Sequence, residues 1–253
     1  MKRILLFVNG KLGLEIINFL SSQTDIAIVG VVVNAPEKRA SNYISQLREL
    51  SPFLRLFEYD ENLWERSEFQ EILDETDLAV SALFGHVIPS KIVKFFGSNI
   101  VNLHPSLLPL GRGADPIPWA IIENNRQGVS IHLLEEKIDT GPIISQSEIA
   151  TTFGMTAGDI YELAMDELVR NFQELIKEWP THKKPEPQEG KSSYHQASEL
   201  QALRVEVSQG KFDLERSLRM IQALTFTDGR TARIRLSNGE LWEISLSMSK
   251  VEN

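Results

Sequence analysis

The chain has no cysteine in its 253 residues. That excludes a disulfide framework, a thiolate zinc site and a cysteine nucleophile. Long apolar runs are missing too. Nothing approaches the ~20 residues of a membrane-spanning helix, and the run over residues 4–8 falls short of the roughly 7–15 residues of a signal-peptide core. Positive charge is scarce, with 26 Lys+Arg against 35 Asp+Glu and a formal charge of −9. That balance disfavours a general binder of nucleic acid or of anionic membrane. No G-x-S-x-G elbow offers a serine nucleophile, and no H-E-x-x-H pair offers a metal site. Gly10-Lys-Leu-Gly13 has neither the spacing nor the third glycine of a dinucleotide fingerprint. Together these absences predict a cytoplasmic protein that uses no metal.

What is present is ordinary for a globular protein, 42% hydrophobic and 24% charged. Apolar runs at 4–8, 27–33, 54–57, 78–83 and 100–103 read as strands, and the continuous ones suit a sheet buried on both faces. Helical segments at 14–20 and 90–95 fall between them. The alternation predicts an α/β fold, a Rossmann-like, mostly parallel sheet with flanking helices. Further on, 116–124 reads as a helix with proline in its first turn, and 128–134 and 142–149 read as strands. His132 alternates with apolar neighbours, as a buried core histidine does. Thr156 and Asp159 form a capping box in front of a long amphipathic helix.

The prolines and charges of 180–190 mark a linker. The domain reading is therefore 1–180 for the main domain, 181–190 for the linker and 191–253 for a small C-terminal α+β subdomain. In that subdomain, 203–207 reads as a short strand and Asp213 as the cap of a helix carrying Leu214, Leu218, Ile221 and Leu224. Ile234 and Leu236, an Asn238-Gly239 turn, and then Trp242, Ile244, Leu246 and Met248 read as a closing β-hairpin.

The chemistry concentrates in Asn102-Leu-His-Pro-Ser-Leu-Leu-Pro-Leu-Gly-Arg-Gly113. Asn102 and His104 stand two residues apart at a strand end, so both project from one face. Asp139 lies in a later turn, and turns after neighbouring parallel strands gather at one edge. An amide stabilises an oxyanion, an imidazole moves a proton near neutral pH, and a carboxylate orients it. That set suits attack on an acyl carbon by an amine or by water.

The 102–113 stretch, with Gly128-Val-Ser-Ile-His-Leu-Leu134 and Ile138-Asp-Thr-Gly-Pro142, resembles the formyltransferases that use N10-formyltetrahydrofolate. The resemblance covers roughly the first 180 residues. It implies that Asn102, His104 and Asp139 are the catalytic set. It also implies that Phe84, Gly85, His86, Val87 and Ile88, within Ser81-Ala-Leu-Phe-Gly-His-Val-Ile-Pro89, form the loop whose backbone receives the pterin ring.

The acceptor is read from the remainder. Asn9-Gly-Lys-Leu-Gly13 departs from the glycine-serine-rich phosphate loop of glycinamide ribonucleotide transformylase. From Lys184 onward the chain has ten basic and ten acidic residues, unlike the basic barrel of methionyl-tRNA formyltransferase. Tyr194-His-Gln, the 221–226 segment and the final hairpin are similar to the nucleotide-sugar N-formyltransferases. That similarity implies a dTDP-linked amino-dideoxy sugar as partner, a product used in surface-polysaccharide synthesis, and a homodimer formed through the hairpin. Arg112 would either contact the diphosphate or decorate a surface loop. Tyr194 and Phe226 would either contact the nucleotide sugar or join the subdomains as core aromatics. A methionyl-tRNA formyltransferase-like enzyme and a formyltetrahydrofolate hydrolase use the same triad and are the alternatives.

Overall fold

A computed structural model describes residues 1–152, 154–180, 184–203, 214–235, 239–244 and 246. It begins with β1 (Lys2–Val8), α1 (Gly10–Ser21), β2 (Ile26–Val33), α2 (Tyr43–Leu50), β3 (Leu56–Glu58) and α3 (Ser67–Glu75). Next come β4 (Leu78–Ala82), α4 (Ser90–Phe96), β5 (Ile100–His104), β6 (Arg112–Gly113), α5 (Pro116–Ile122), β7 (Gln127–Leu133) and β8 (Ile143–Ile149). Seven strands form one sheet in the order β3-β2-β1-β4-β5-β7-β8. The pairs β2–β3, β1–β2, β1–β4 and β4–β5 are parallel. Leu133 meets Pro142 and Gly128 meets Ser147, an opposite run that makes β7 and β8 antiparallel. The fold is therefore the Rossmann-like, mostly parallel α/β sheet that the strand–helix alternation predicts.

Burial explains which runs became the centre. Ile4–Val8 and Val31–Val33 are fully buried, as is most of β4, and strands covered on both faces are apolar throughout. Strand order reverses direction between β1 and β4, the point where α/β sheets open a crevice at the carboxyl ends of their strands. Asn9 N–H donates to Ala82 O across that point at 3.2 Å. Helices α2 and α3 are amphipathic, with buried residues at helical spacing. Each is short, and they bury only Tyr43 and Leu47, and Phe69, Ile72 and Leu73.

The long helix α6 spans Ala157–Glu178. Its capping box closes as read: Thr156 N–H donates to Asp159 Oδ2 at 2.8 Å, and Asp159 N–H to Thr156 Oγ1 at 3.2 Å. The remaining elements are β9 (Tyr194–His195), α7 (Ala197–Leu203), α8 (Leu214–Leu224), β10 (Ala232–Arg235) and β11 (Leu241–Ile244). Strands β10 and β11 pair antiparallel, Ile234 opposite Trp242, which is the expected hairpin. Leu203, expected to open a strand, instead ends α7. Glu199 accepts the Gln196 N–H at 2.8 Å and caps a helix there. Residues 204–207, Asp213, Leu236, Asn238 and Met248 lie outside the described residues, and Leu246 lies beyond the end of β11.

By internal contacts the chain divides into two compact units. One comprises Met1–His104, Ile131–Ser145 and Leu168–Pro187; the other comprises Pro105–Ser130, Gln146–Glu167 and Gln188–Asn253. In the first, Phe19 meets Phe172 edge-on at 6.3 Å, and Lys2 Nζ donates to Ile176 O at 2.9 Å. In the second, Leu200, Leu224 and Ala232 form a small core with Trp119, Ile122 and Ile221 against it. Among the described residues no helix is long and apolar enough to cross a membrane.

Helix α1 lies so close to β1 that a Cβ on Gly13 would sit 2.8 Å from Val8 Cβ and overlap the Tyr43 hydroxyl. That hydroxyl is buried and has no hydrogen-bond partner among the described residues. Overpacking of this kind costs about 1–3 kcal/mol. Gly13→Ala is therefore expected to lower the melting temperature. Tyr43→Phe, which deletes an unsatisfied group, is expected to leave it unchanged or raise it, and to recover part of the loss in the double variant. Thermal unfolding followed by circular dichroism reads all three.

Candidate active site

The site assembles at the carboxyl ends of β5 and β7. β5 alternates so that Leu103 enters the core while Asn102, half-buried, and His104, 5% exposed, share the other side. The turn between β7 and β8 brings Asp139 to them. Asp139 adopts a left-handed backbone, φ 52°, which aspartate tolerates better than most residues. Gly141 lets the turn fold back onto β7, since a Cβ there would overlap the Leu133 carbonyl.

The Asp139 carboxylate lies at the middle of the group. Its Oδ1 accepts from Asn102 Nδ2 at 3.4 Å and lies 3.5 Å from His132 Nε2. Its Oδ2 lies 3.7 Å from His104 Nδ1, an ion-pair rather than a hydrogen-bond distance. The Asp139 side chain is only 11% exposed. The three residues expected from the sequence thus come together, all within the first unit.

A fourth residue joins them. His132 is 1% exposed, as a core histidine would be, yet its Nε2 is 3.2 Å from Asn102 Nδ2. Its Nδ1 is 2.8 Å from Leu133 O, a carbonyl that only accepts. Assigned from this network, Nδ1 carries the proton and Nε2 accepts from Asn102. Both hydrogens of the Asn102 amide are then directed, one to His132 and one to Asp139. Alternation alone does not separate this role from a packing role. The one sequence signal is that His132 nears the end of β7 as His104 ends β5.

The loop after β4 holds the five residues expected to receive a pterin. Phe84 packs against the core beside Phe7, ring centroids 5.5 Å apart, and Ile88 is buried. His86 stacks on Tyr59 at 3.8 Å, and Val87 is 70% exposed. Gly85 N–H donates to Asn34 Oδ1 at 2.9 Å, and Gly85 O accepts from Lys38 Nζ at 2.8 Å.

The expected substrate contacts fall in the second unit. Arg112 on β6 pairs in register with Tyr194 on β9. The Arg112 guanidinium donates to Gln188 Oε1 from Nε at 3.1 Å and from Nη2 at 2.7 Å. Tyr194 is 50% exposed. Phe226 instead lies under Arg230, whose guanidinium carbon is 3.9 Å from the ring centre. Trp119 stacks on His195 at 3.8 Å, and the His195 nitrogens face Glu199 at 3.0 Å and Glu123 at 2.9 Å. Among the described residues no three His, Asp or Glu groups are arranged to hold a metal ion.

Four matches to known proteins bear on the site. The sequence profile described as formyl transferase matches residues 2–174. A methionyl-tRNA formyltransferase of Syntrophus aciditrophicus is 33% identical over 184 residues, 68% of this chain and 58% of its own length. The chain therefore spans less than two thirds of that relative. A sugar N-formyltransferase structure from Shewanella sp. FDAARGOS_354 superposes with TM-score 0.83 at 23% identity, covering 100% of both chains. The formyltransferase PseJ of Anoxybacillus kamchatkensis was solved with UDP-4,6-dideoxy-4-formamido-L-AltNAc and tetrahydrofolate. It matches with TM-score 0.55 at 27% identity over 79% of this chain and 88% of that one.

Burial lowers the pKa of His86, the nearby Lys38 charge lowers it further, and Glu37 opposes both. Its Nε2 accepts the Ala35 N–H at 3.5 Å, a bond that needs the neutral ring. An unfolded histidine takes its proton near pH about 6.5, whereas the folded one resists until lower pH. Stability is thus full above about 6.5 and falls as pH drops below it. His86→Gln is expected to flatten that slope, as read from urea midpoints between pH 7 and 5.

Proposed function

The chain belongs to the formyl transferase family, and on that premise we propose that it transfers a formyl group from N10-formyltetrahydrofolate to the amine of a nucleotide-linked amino-dideoxy sugar. The meeting of Asn102, His104 and Asp139 at one sheet edge carries this reading. The amine attacks the formyl carbon, a C–N bond forms, and the carbonyl oxygen becomes an oxyanion. Asn102 turns an N–H to that oxyanion, giving up its longer bond to Asp139 while His132 keeps the amide oriented. Protonated His104 is the second stabilising group. As the intermediate collapses, the bond to N10 breaks, protonated His104 gives its proton to the departing nitrogen, and the neutral ring then takes up the proton lost by the amine. Asp139 holds His104 in its working orientation and shares in that transfer.

Phe84, Gly85, His86, Val87 and Ile88 belong to the loop that meets the pterin. In the second unit, the Arg112 guanidinium donates to a neutral amide, Gln188 Oε1. Its charge is available to a diphosphate. Tyr194, half-exposed beside it, offers a ring to the base or the sugar. Phe226 is already engaged by Arg230 and serves the packing of its own segment. The sugar-bound PseJ neighbour supports the nucleotide-sugar class, and the similarity of the tail favours dTDP. Work in the cytoplasm on a surface-polysaccharide precursor follows from that substrate. Trp242 and Leu241, 56% and 50% exposed on the hairpin, support a homodimer through that element.

The Syntrophus relative gives a second reading, methionyl-tRNA as acceptor. The even charge of the tail disfavours it. The deciding assay offers N10-formyltetrahydrofolate with dTDP-, UDP- and GDP-amino sugars, and with initiator methionyl-tRNA in parallel, and reads product mass. Gain of one formyl group on a dTDP-amino sugar is expected. Transfer to tRNA alone would sink the sugar reading, and formate release without transfer would make the protein a hydrolase.

Loss of one oxyanion donor costs about 10²–10³ in turnover, so Asn102→Ala is expected to lower kcat by that factor with little change in KM. His104→Ala, which removes both a donor and the proton relay, is expected to lose at least as much. Wild-type turnover by the folded double variant would remove the assignment.

A further inference from the structure

Asn34 follows β2 directly and is 1% exposed. A buried amide persists only where its hydrogen bonds are made. Here the Asn34 amide joins two loops. Its Oδ1 accepts the Gly85 N–H at 2.9 Å, and its Nδ2 donates to Lys38 O at 3.1 Å. Asn9, at the end of β1, donates to the same Lys38 carbonyl at 3.1 Å. Lys38 returns its ammonium to Gly85 O at 2.8 Å. Both backbone groups of Gly85 are therefore held by side chains of the 34–38 turn.

The turn is itself anchored. The Arg39 guanidinium, with a side chain 10% exposed, donates to Asn34 O at 2.7 Å and to Glu58 Oε2 at 2.8 Å. Next to Gly85, His86 is pinned between the Tyr59 ring and the Ala35 N–H. Phe84 and Ile88 fix the loop into the core on either side. Val87 and Ile88 differ from Gly85. Among the described residues their N–H and C=O groups have no hydrogen-bond partner. Val87 is 70% exposed, so its backbone groups are open to a ligand as well as to water. A clamped glycine followed by two residues with unspent donors and acceptors is a prepared hydrogen-bonding edge. A 2-amino-4-oxo pterin ring, on the formyl-folate reading, carries donors and acceptors of the kind that such an edge takes.

We propose that Asn34, assisted by Lys38, is a positioning residue for folate: it anchors Gly85 so that the Val87–Ile88 backbone is presented to the pterin. The inference rests on the formyl-folate reading of the preceding section. Gly85 acts in it as the anchor, and the residues after it make the contact.

The probe is 5-formyltetrahydrofolate, titrated by intrinsic fluorescence against wild type, Asn34→Ala and Lys38→Met, with thermal unfolding and steady-state kinetics on each. Losing one such anchor is expected to weaken probe binding about tenfold in Asn34→Ala, and less in Lys38→Met because Lys38 is exposed. KM for formyl-folate is expected to rise in step, with the amine KM unchanged. Wild-type probe affinity in a destabilised Asn34→Ala would overturn the proposal and leave Asn34 a purely structural residue. Should Asn34→Ala show no cooperative unfolding, Lys38→Met decides: weakened binding supports the proposal, and unchanged binding overturns it. Failure of wild type to bind the probe would instead bring down the formyl-folate reading, and this inference with it.

Discussion

A strand covered on both faces has little place for a polar side chain larger than serine except toward its ends, and that constraint organises this chain. β1 and β4 spend their residues on burial. The polar groups gather where the strands stop: Asn9 after β1, Asn34 after β2, Glu58 at the end of β3, Gly85 and His86 after β4, and His104 at the end of β5. The parallel direction of these strands puts their carboxyl ends along one edge. A network of side chains that are distant in sequence follows from the backbone arrangement.

Two networks share that edge, and they are built differently. The Asn34–Lys38–Gly85 group uses short bonds between 2.8 and 3.1 Å to fix backbone. The Asp139 group is looser, between 3.2 and 3.7 Å, and it gathers side chains. A site that must exchange hydrogen-bond partners during a reaction gains nothing from bonds too good to leave. A loop that must hold one shape gains from bonds that stay.

Much of this was legible in the sequence, for reasons that differ by element. The apolar runs of β1, β2 and β4 announced buried parallel strands because nothing polar larger than Ser81 interrupts them. Asn102 and His104 were legible as a pair because a strand end fixes i and i+2 on one side. The capping box before α6 was legible because it depends on two residues three apart. His132 hid because packing against a core and packing against Asn102 produce the same alternation. Asn34 was silent, since an asparagine just past a strand reads as a turn former, and its partner Gly85 is 51 residues away. The α7 residue Leu203 read as strand because it opens the alternating run Leu203-Arg-Val-Glu-Val207.

The Asp139 turn shows how a backbone contact governs a side chain. Gly141 lies against the Leu133 carbonyl with no room for a carbon between them, and two residues earlier Asp139 extends its carboxylate to three partners. The two positions answer to substitution differently. A change at 139 alters what the turn carries and leaves its path intact. A change at 141 pushes the whole turn off β7 and removes the place where any carboxylate could stand.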